Sequence, residues 1–153
     1  MRSSIGKTIY SITAFVFTCT LAVIVFQIFE LKSAMQQQRR SELQHLTDVA
    51  LKIAQEEYAA VQKGSITTEE GQKRAVKQIS TLRYGNGDYF WINDMFPRMV
   101  MHPTKPELNG RDLSQTKDPN GKRLFMAFVD TVKAEGHGFV EYDWPKPGAD
   151  VPQ

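Results

Sequence analysis

The 153-residue sequence has few of the residues from which common functional sites are built. It contains one cysteine, Cys19, and three scattered histidines, His45, His102 and His137. One cysteine cannot form an internal disulfide, and this set lacks the spacing of a Cys/His zinc cluster. The patterns G-x-x-x-x-G-K, G-x-S-x-G and H-E-x-x-H are also missing. We therefore expect no metal and no cofactor.

A strong excess of one charge is missing as well. The sequence has 19 Lys and Arg residues against 17 Asp and Glu, which gives a formal net charge of +2. The two signs alternate along the chain and form no basic block, so we expect no nucleic acid as a partner. The length allows one domain with a real core plus a short additional element.

One long hydrophobic run is present, near the N-terminus. Residues 8–29, TIYSITAFVFTCTLAVIVFQIF, contain 22 consecutive positions without a charge. At about 1.5 Å per residue, such a helix spans about 33 Å and matches a hydrocarbon core of about 30 Å. A cleaved signal peptide has a shorter apolar run, and a buried core helix usually keeps a polar face, so a membrane span fits best. Lysines and arginines on the two sides do not settle its orientation.

Beyond this run the hydrophobic pattern becomes that of amphipathic helices. Apolar residues recur at steps of three and four, and the first interruption is Gly64, so one helix is predicted to continue to about Gln62. Its apolar stripe is available for the chain's own sheet, for a twin helix of a second subunit, or for both. Thr67 and Glu70 form a capping-box pattern that begins a second helix, which the turn YGNGDY at 84–89 ends.

A third helix and three strands are predicted in the rest of the chain. The helix opens at KDPNGK, with Pro119 in its first turn, and ends at Gly136. The strands cover Tyr89–Asn93, Arg98–His102 and Phe139–Trp144. Because three strands are a thin platform for such helices, we expect the chain to be truncated, with further strands beyond it. The predicted buried face of the third helix consists of Leu124, Phe125, Phe128, Val129 and Val132.

The second predicted strand concentrates the candidate binding residues. Alternation puts Arg98, Val100 and His102 on one face, and Lys105 follows closely. A guanidinium, an imidazole and an ammonium group that converge are suited to a small carboxylate. Aromatic residues of the first strand would provide apolar walls, as small-molecule pockets require. The alternatives to a ligand pocket are a solvated arginine, a histidine that caps a turn, and aromatic residues that belong to the hydrophobic core. The wall residues are Tyr89 and Trp91.

Two other classes of function are compatible with these residues. His102 with Asp94 would supply the acid and base of a membrane-tethered hydrolase. The spacing fixes no nucleophile beside its base, however, and no oxyanion loop is recognisable, so no catalytic residue is assigned. The chain would otherwise be an interaction module whose long helix only dimerises.

Four motifs together resemble the single Cache sensor domain of the second type, which lies outside the membrane in bacterial chemoreceptors. They are GDYFWIND, PRMVMHPTKPELNGRDLS, KDPNGKRLF and GHGFVEYDWPKPG, and they occur in the family's order. The resemblance, which runs from about Leu31 to Gln153, implies an α+β Cache fold in which a long helix packs on a PAS-like antiparallel sheet. It also implies a pocket for a small organic acid such as acetate, propionate, pyruvate or lactate.

The resemblance further implies where the parts of the chain lie. Residues 1–7 become a cytoplasmic tail, 8–29 a span of the inner membrane, and 30–153 a periplasmic sensor domain that lacks its last strands and a second transmembrane helix. A homodimer would form through the 31–62 helix, and the output would be chemotaxis signalling. The same domain on a histidine kinase or a cyclic-nucleotide enzyme remains open. The implied pocket residues are Tyr89, Trp91, Arg98, His102, Lys105 and Tyr142.

Overall fold

The structure, a computed structural model, describes residues 2–145. The contacts divide the chain into two compact units, of which residues 2–45 and residues 46–145 are described. Helices and short strands give the α+β class that the sequence predicts. In chain order the elements are helix α1 (Arg2–Gln62), helix α2 (Thr68–Thr81), strands β1 (Arg83–Tyr84), β2 (Asp88–Tyr89), β3 (Ile92–Asn93) and β4 (Met99–Met101), the 3-10 helix η1 (Pro106–Leu108) and helix α3 (Leu124–Glu135).

The first unit consists of the N-terminal part of helix α1. α1 continues without a break through the predicted span and the predicted amphipathic extension. Its most apolar stretch has a mean hydropathy of 2.3 and no buried residue, and its length and composition make it a candidate membrane span. The hydroxyls of Thr13, Thr18 and Thr20 each donate to the carbonyl four residues earlier, which satisfies these polar groups within the helix itself. Among the described residues, α1 is the one helix long and apolar enough to cross a membrane.

The start of α2 follows the predicted cap in part. The Thr67 side chain accepts a hydrogen bond from the backbone N–H of Glu70 at 3.2 Å, as an N-cap does. The Glu70 carboxylate does not return to Thr67; it accepts from Arg74 Nε at 2.8 Å instead. The capping box is therefore half formed.

A buried glycine lets α2 approach the end of α1. A Cβ placed on Gly71 would lie 2.6 Å from Cγ2 of Val61, so a larger residue at this position would force the Val61 side chain to shift. Gln78 Nε2 also donates to Glu57 Oε1 at 2.6 Å. These contacts attach α2 to the last turns of α1.

The strands form two antiparallel pairs. β1 pairs with β2, with Tyr84 opposite Asp88, and β3 pairs with β4. Gly85 and Gly87, with φ of 51° and 101°, close the first hairpin, as YGNGDY predicts. The prediction of one strand over Tyr89–Asn93 is wrong, because β2 pairs back to β1 whereas β3 pairs forward to β4.

The prediction that the third helix opens at Pro119 is also wrong. Asp118 Oδ1 accepts from the backbone N–H groups of Asn120 and Lys122, each at 2.9 Å, so this segment is held as a turn. α3 begins five residues after Pro119, at Leu124. It ends as predicted, because Gly136 has a φ of 76° and donates to the Val132 carbonyl.

The predicted strand Phe139–Trp144 is wrong as well. This backbone joins no ladder among residues 2–145 and is held by side chains instead. Asn120 Nδ2 donates to Asp143 Oδ2 at 2.6 Å, and Lys122 Nζ donates to the Glu141 carbonyl. The rest of the predicted terminal turn, residues 146–153, lies outside the described residues.

The core of the second unit lies between β4 and the start of α3. Val132, predicted to be buried, is 43% exposed, because the contacts of α3 are made by its first two turns. The buried centre consists of Met99, Leu113, Leu124 and Phe125, with Trp91, Leu108, Phe128, Tyr142 and Trp144 packed against it.

Candidate functional site: a small aromatic cavity

The end of β4 decides which side chains reach the core. Met99 and Met101 are buried, whereas Arg98 and Val100 are exposed. β4 stops at Met101, and the following turn reverses the alternation, so that His102 is only 3% exposed. The predicted common face of Arg98, Val100 and His102 is therefore wrong.

Hydrogen bonds fix both the backbone and the ring of His102. Its N–H donates to Asn109 Oδ1 at 2.8 Å. Its Nδ1 accepts from the backbone N–H of Lys105 at 3.1 Å, and its Nε2 lies 3.4 Å from the Tyr89 hydroxyl. The Thr104 hydroxyl lies 3.5 Å from Nδ1. The turn after β4 thus sets the orientation of the imidazole.

The environment of His102 favours its neutral form. Burial lowers the pKa of the imidazole, and the positive charge of Lys105 lowers it further. Glu107 acts in the opposite direction, with a smaller effect. His102 therefore loses its proton more readily than an exposed histidine.

His102 faces a small cavity with mostly aromatic walls. The volume of about 10 Å³ has room for about one water molecule. Rings pack edge to face around it, with centroids of Phe128 and Tyr142 5.1 Å apart and those of Trp91 and Tyr142 6.2 Å apart. The lining residues are Tyr89, Trp91, His102, Leu124, Phe125, Tyr142 and Trp144.

Tyr142 adds a polar group that keeps its proton. Burial, followed by the negative charges that Tyr84, Tyr89 and Asp88 would carry nearby, raises the pKa of Tyr142 to about 12. Its hydroxyl is consequently neutral at physiological pH and can donate a hydrogen bond.

Lys105 lies beside this cavity. Its Nζ is 4.9 Å from the ring centroid of Trp144, a cation–π distance. Four of the six predicted site residues thus line one cavity, and a fifth contacts a lining ring. The four are Tyr89, Trp91, His102 and Tyr142.

Arg98 is not brought to the cavity. The Arg98 side chain is exposed, and the Arg98 backbone N–H donates to Asp94 Oδ1. The Arg98 backbone also pairs with that of Asp112 in an isolated antiparallel β-bridge. The pKa of Asp112 is lowered by hydrogen bonds from Ser114 and, to a smaller extent, by the charge of Arg98. The arginine charge therefore lies near an exposed carboxylate instead of the aromatic rings.

The predicted hydrolase pair is also kept apart. Asp94 Oδ1 accepts from the backbone N–H groups of Phe96 and Arg98 at 2.8 and 2.9 Å, so it stabilises the β3–β4 turn. His102 makes its hydrogen bonds to other partners. Within residues 2–145 no His, Cys, Asp or Glu cluster is placed to hold a metal ion.

Three lining residues were not predicted as site residues. Trp144 follows Tyr142 at a spacing of two, which in an extended segment puts both on one side. That spacing was a usable signal. Leu124 and Phe125 belong to the predicted buried face of α3, and nothing in their pattern separates a cavity wall from ordinary core.

Comparison with known proteins gives one family. The profile described as Single Cache domain 2 matches residues 35–153. The chain is 30% identical over 149 residues to the methyl-accepting chemotaxis protein McpP of Pseudomonas putida, an alignment that covers 97% of this chain and 27% of McpP. It is 26% identical over 140 residues to the sensor histidine kinase MctS of Rhizobium johnstonii, which covers 92% of this chain and 30% of MctS. The chain thus spans less than a third of the length of these relatives.

Two solved structures agree in sequence and in fold. One is a periplasmic sensor domain of a chemotaxis protein, 47% identical, with a TM-score of 0.75 over 77% of this chain and 82% of that one. The other is a Cache chemosensory domain solved to explain carboxylic acid recognition. It is 42% identical, with a TM-score of 0.76 over 78% of this chain and 82% of that one.

Proposed function

Because the chain belongs to the Single Cache domain 2 family, we propose that it is the extracytoplasmic sensing part of a transmembrane chemoreceptor. Its second unit binds a small organic acid of the acetate, propionate, pyruvate or lactate type. α1 anchors that unit on the periplasmic side of the inner membrane and transmits the signal through the membrane to the chemotaxis signalling system. The chain performs no catalysis in this role.

The observation that carries the proposal is the cavity beside His102. Hydroxyl groups of Tyr89 and Tyr142 and the imidazole supply hydrogen-bonding groups among apolar rings, and Lys105 supplies a positive charge. A few polar groups in an apolar cavity are what a small carboxylate requires, since its oxygens need donors and its alkyl part needs rings. Carboxylic acid recognition by a 42% identical Cache domain supports the same ligand class.

Binding of such an acid at this cavity requires a wall to move, because the cavity is small. A carboxylate with even one methyl group is larger than the single water molecule that about 10 Å³ accommodates. The segment of Tyr142 and Trp144 belongs to no strand ladder within residues 2–145, so it is the wall assigned to this movement. A ligand that fits only the displaced arrangement shifts the balance between two states, which is the requirement for a signal.

The same proposal assigns α1 to the membrane and to a homodimer. Residues 8–29 supply the span, and the exposed apolar side chains further along α1 supply a surface for a second copy. These side chains include Leu31, Met35, Val49 and Leu51. Crosslinking of single cysteines placed along 31–62, in a Cys19→Ser background, tests the dimer.

Thermal unfolding tests the proposed ligand class. Both tryptophans, Trp91 and Trp144, lie in the second unit, so intrinsic fluorescence of the full chain in detergent micelles reports on that unit. Sodium acetate, propionate, pyruvate and lactate are compared with sodium chloride and with propionamide, a neutral isostere. A ligand present at 100 times its Kd stabilises the folded state by about 2.7 kcal/mol. Equal unfolding temperatures in all six solutions would reject the proposal.

One relative supports a second kind of signalling output, a histidine kinase. The alignment with the sensor histidine kinase MctS covers 92% of this chain, so the same sensing unit fits a kinase. Assaying the full-length gene product for ATP-dependent histidine phosphorylation and for glutamyl methylation separates the two outputs. The proposed ligand site is the same in either case. By contrast, the hydrogen bonds of His102 and Asp94 give no support to a hydrolase.

A further inference from the structure

We infer that the turn from His102 to Lys105 holds the imidazole as the neutral tautomer protonated on Nε2, so that an N–H donor, and not an imidazolium, faces the ligand. The inference rests on the proposed function and specifies how that cavity recognises a carboxylate. It makes His102 the binding residue. The backbone of Lys105 is then the group that positions it.

The tautomer follows from the partner of Nδ1. A backbone N–H can only donate, so the Nδ1 atom that lies 3.1 Å from the Lys105 nitrogen must present a lone pair. A neutral imidazole carries one ring proton, which is then on Nε2. The Nε2–H group lies 3.4 Å from the Tyr89 hydroxyl, which is longer than a normal hydrogen bond, so this N–H remains available to a carboxylate oxygen. The Tyr89 proton is left available for a carboxylate oxygen.

The environment of the His102 ring favours the neutral imidazole. Tyr89 faces His102 from β2 and Tyr142 from the segment after α3. Lys105 acts on it from the loop that follows β4, and Glu107 acts on it from η1. α3 contributes only apolar side chains to the cavity. Glu107 is the acidic group that favours protonation of His102, and burial together with Lys105 outweighs it.

Protonation conflicts with the turn geometry. A proton on Nδ1 would place two N–H groups head to head at 3.1 Å, which removes the hydrogen bond and adds repulsion. The turn must then open, and His102 and Lys105 lose their shared position at the cavity. Acidification is therefore expected to weaken carboxylate binding, although a positive charge alone would strengthen it.

Nitrogen NMR tests the tautomer directly. The full chain is labelled with ¹⁵N-histidine and measured in detergent micelles of defined composition, with and without sodium propionate. His45 and His137 are exposed and serve as references in the same spectrum, and the His102→Gln variant assigns the remaining signals. We expect an unprotonated Nδ1 and a protonated Nε2 in His102, with propionate and without it. A proton on Nδ1 at neutral pH would overturn the inference.

The pH dependence of propionate binding tests the consequence. Between about pH 8 and about pH 5.5 a simple carboxylic acid stays mostly ionised. If only neutral His102 binds, affinity falls by up to about tenfold per pH unit once His102 protonates. His102→Gln keeps a donor that does not titrate, so its weaker affinity is expected to stay constant over this range. Thr104→Val, which leaves the Lys105 N–H in place, is the matched control and is expected to follow the wild type.

Two results would contradict this consequence. They are wild-type binding that strengthens on acidification, and a His102→Gln variant that keeps the full pH dependence. Absence of propionate binding at every pH would reject the proposed function instead. In that case the spectrum of the unliganded protein still decides the tautomer.

Discussion

The Tyr89 hydroxyl lies 3.4 Å from Nε2 of His102, and the two ring centroids are 5.0 Å apart. Tyr89 ends β2 and His102 follows β4, so this contact connects the two separate hairpins. It also forms one wall of the cavity. The same pair of side chains therefore supports the fold and supplies polar groups to the proposed ligand.

Tyr89→Phe removes the hydroxyl and keeps the ring. We expect the free energy of unfolding to fall by about 0.5–1.5 kcal/mol, the usual net value of one hydrogen bond. Propionate affinity, measured by calorimetry, is expected to fall by about threefold to tenfold, since the hydroxyl proton no longer reaches the ligand. Tyr58→Phe, on an exposed position of α1, is the control and should change neither quantity. Unaltered propionate binding in Tyr89→Phe would mean that the hydroxyl does not contact the ligand.

Arg98→Ala is expected to retain propionate binding within about twofold, because an exposed charge outside the cavity contributes little. This expectation reverses the one drawn from the sequence. Lys105→Met, which keeps a long apolar stem without the charge, is the comparison and should weaken binding. Loss of binding in Arg98→Ala alone would show that the ligand lies outside the aromatic cavity.

Thr67→Ala removes the cap of α2 and is expected to lower the free energy of unfolding by about 1 kcal/mol. Denaturant titration followed by tryptophan fluorescence measures it. Thr67→Ser should restore most of the stability, because serine accepts the same hydrogen bond from Glu70. Thr68→Ala, one position further on, is the matched control. Equal losses in Thr67→Ala and Thr68→Ala would indicate that the cap bond contributes nothing.

The stability of the second unit should depend on pH through His102. Its folded pKa lies below the ordinary value of 6.5, so the unfolded chain takes up a proton first as the pH falls. The contribution of His102 to stability is complete above about pH 6.5 and is lost as the pH falls toward the folded pKa. Glu70 and Asp112, whose pKa values are lowered from 4.5 and 3.8, act only at lower pH. Unfolding temperatures measured from about pH 8 to about pH 5 should therefore slope downward in the wild type and less in His102→Gln. Parallel slopes would contradict the buried, neutral state of His102.

Local patterns predicted the helices well and the strands less well. The Thr67 cap and the Gly136 stop depend on neighbours within one turn, so the sequence contains all that decides them. The division of 89–93 depends on which strand each half pairs with, and that is a tertiary choice. Pro119 suited a helix start, but the Asp118 side chain competed for the same backbone and formed a turn.

The sequence named four residues that line the cavity, and their role in ligand binding stays a prediction, whereas it misplaced Arg98. Tyr89, Trp91 and His102 lie in the motifs that pointed to a pocket, and they meet in the structure. Strict alternation placed Arg98 with His102, and it failed because the strand ends one residue before His102. A strand end is set by pairing and by the turn that follows. Neither can be read from the alternation itself.

Equilibrium dialysis of radiolabelled propionate against the full chain in micelles tests the central claim most directly. The account predicts saturable binding at one site per chain, competed by acetate and not by propionamide. It also predicts that His102→Ala abolishes this binding and that Arg98→Ala preserves it. Absence of saturable binding, or binding that is unchanged in a folded His102→Ala variant, would contradict the claim that this aromatic cavity holds a small carboxylate.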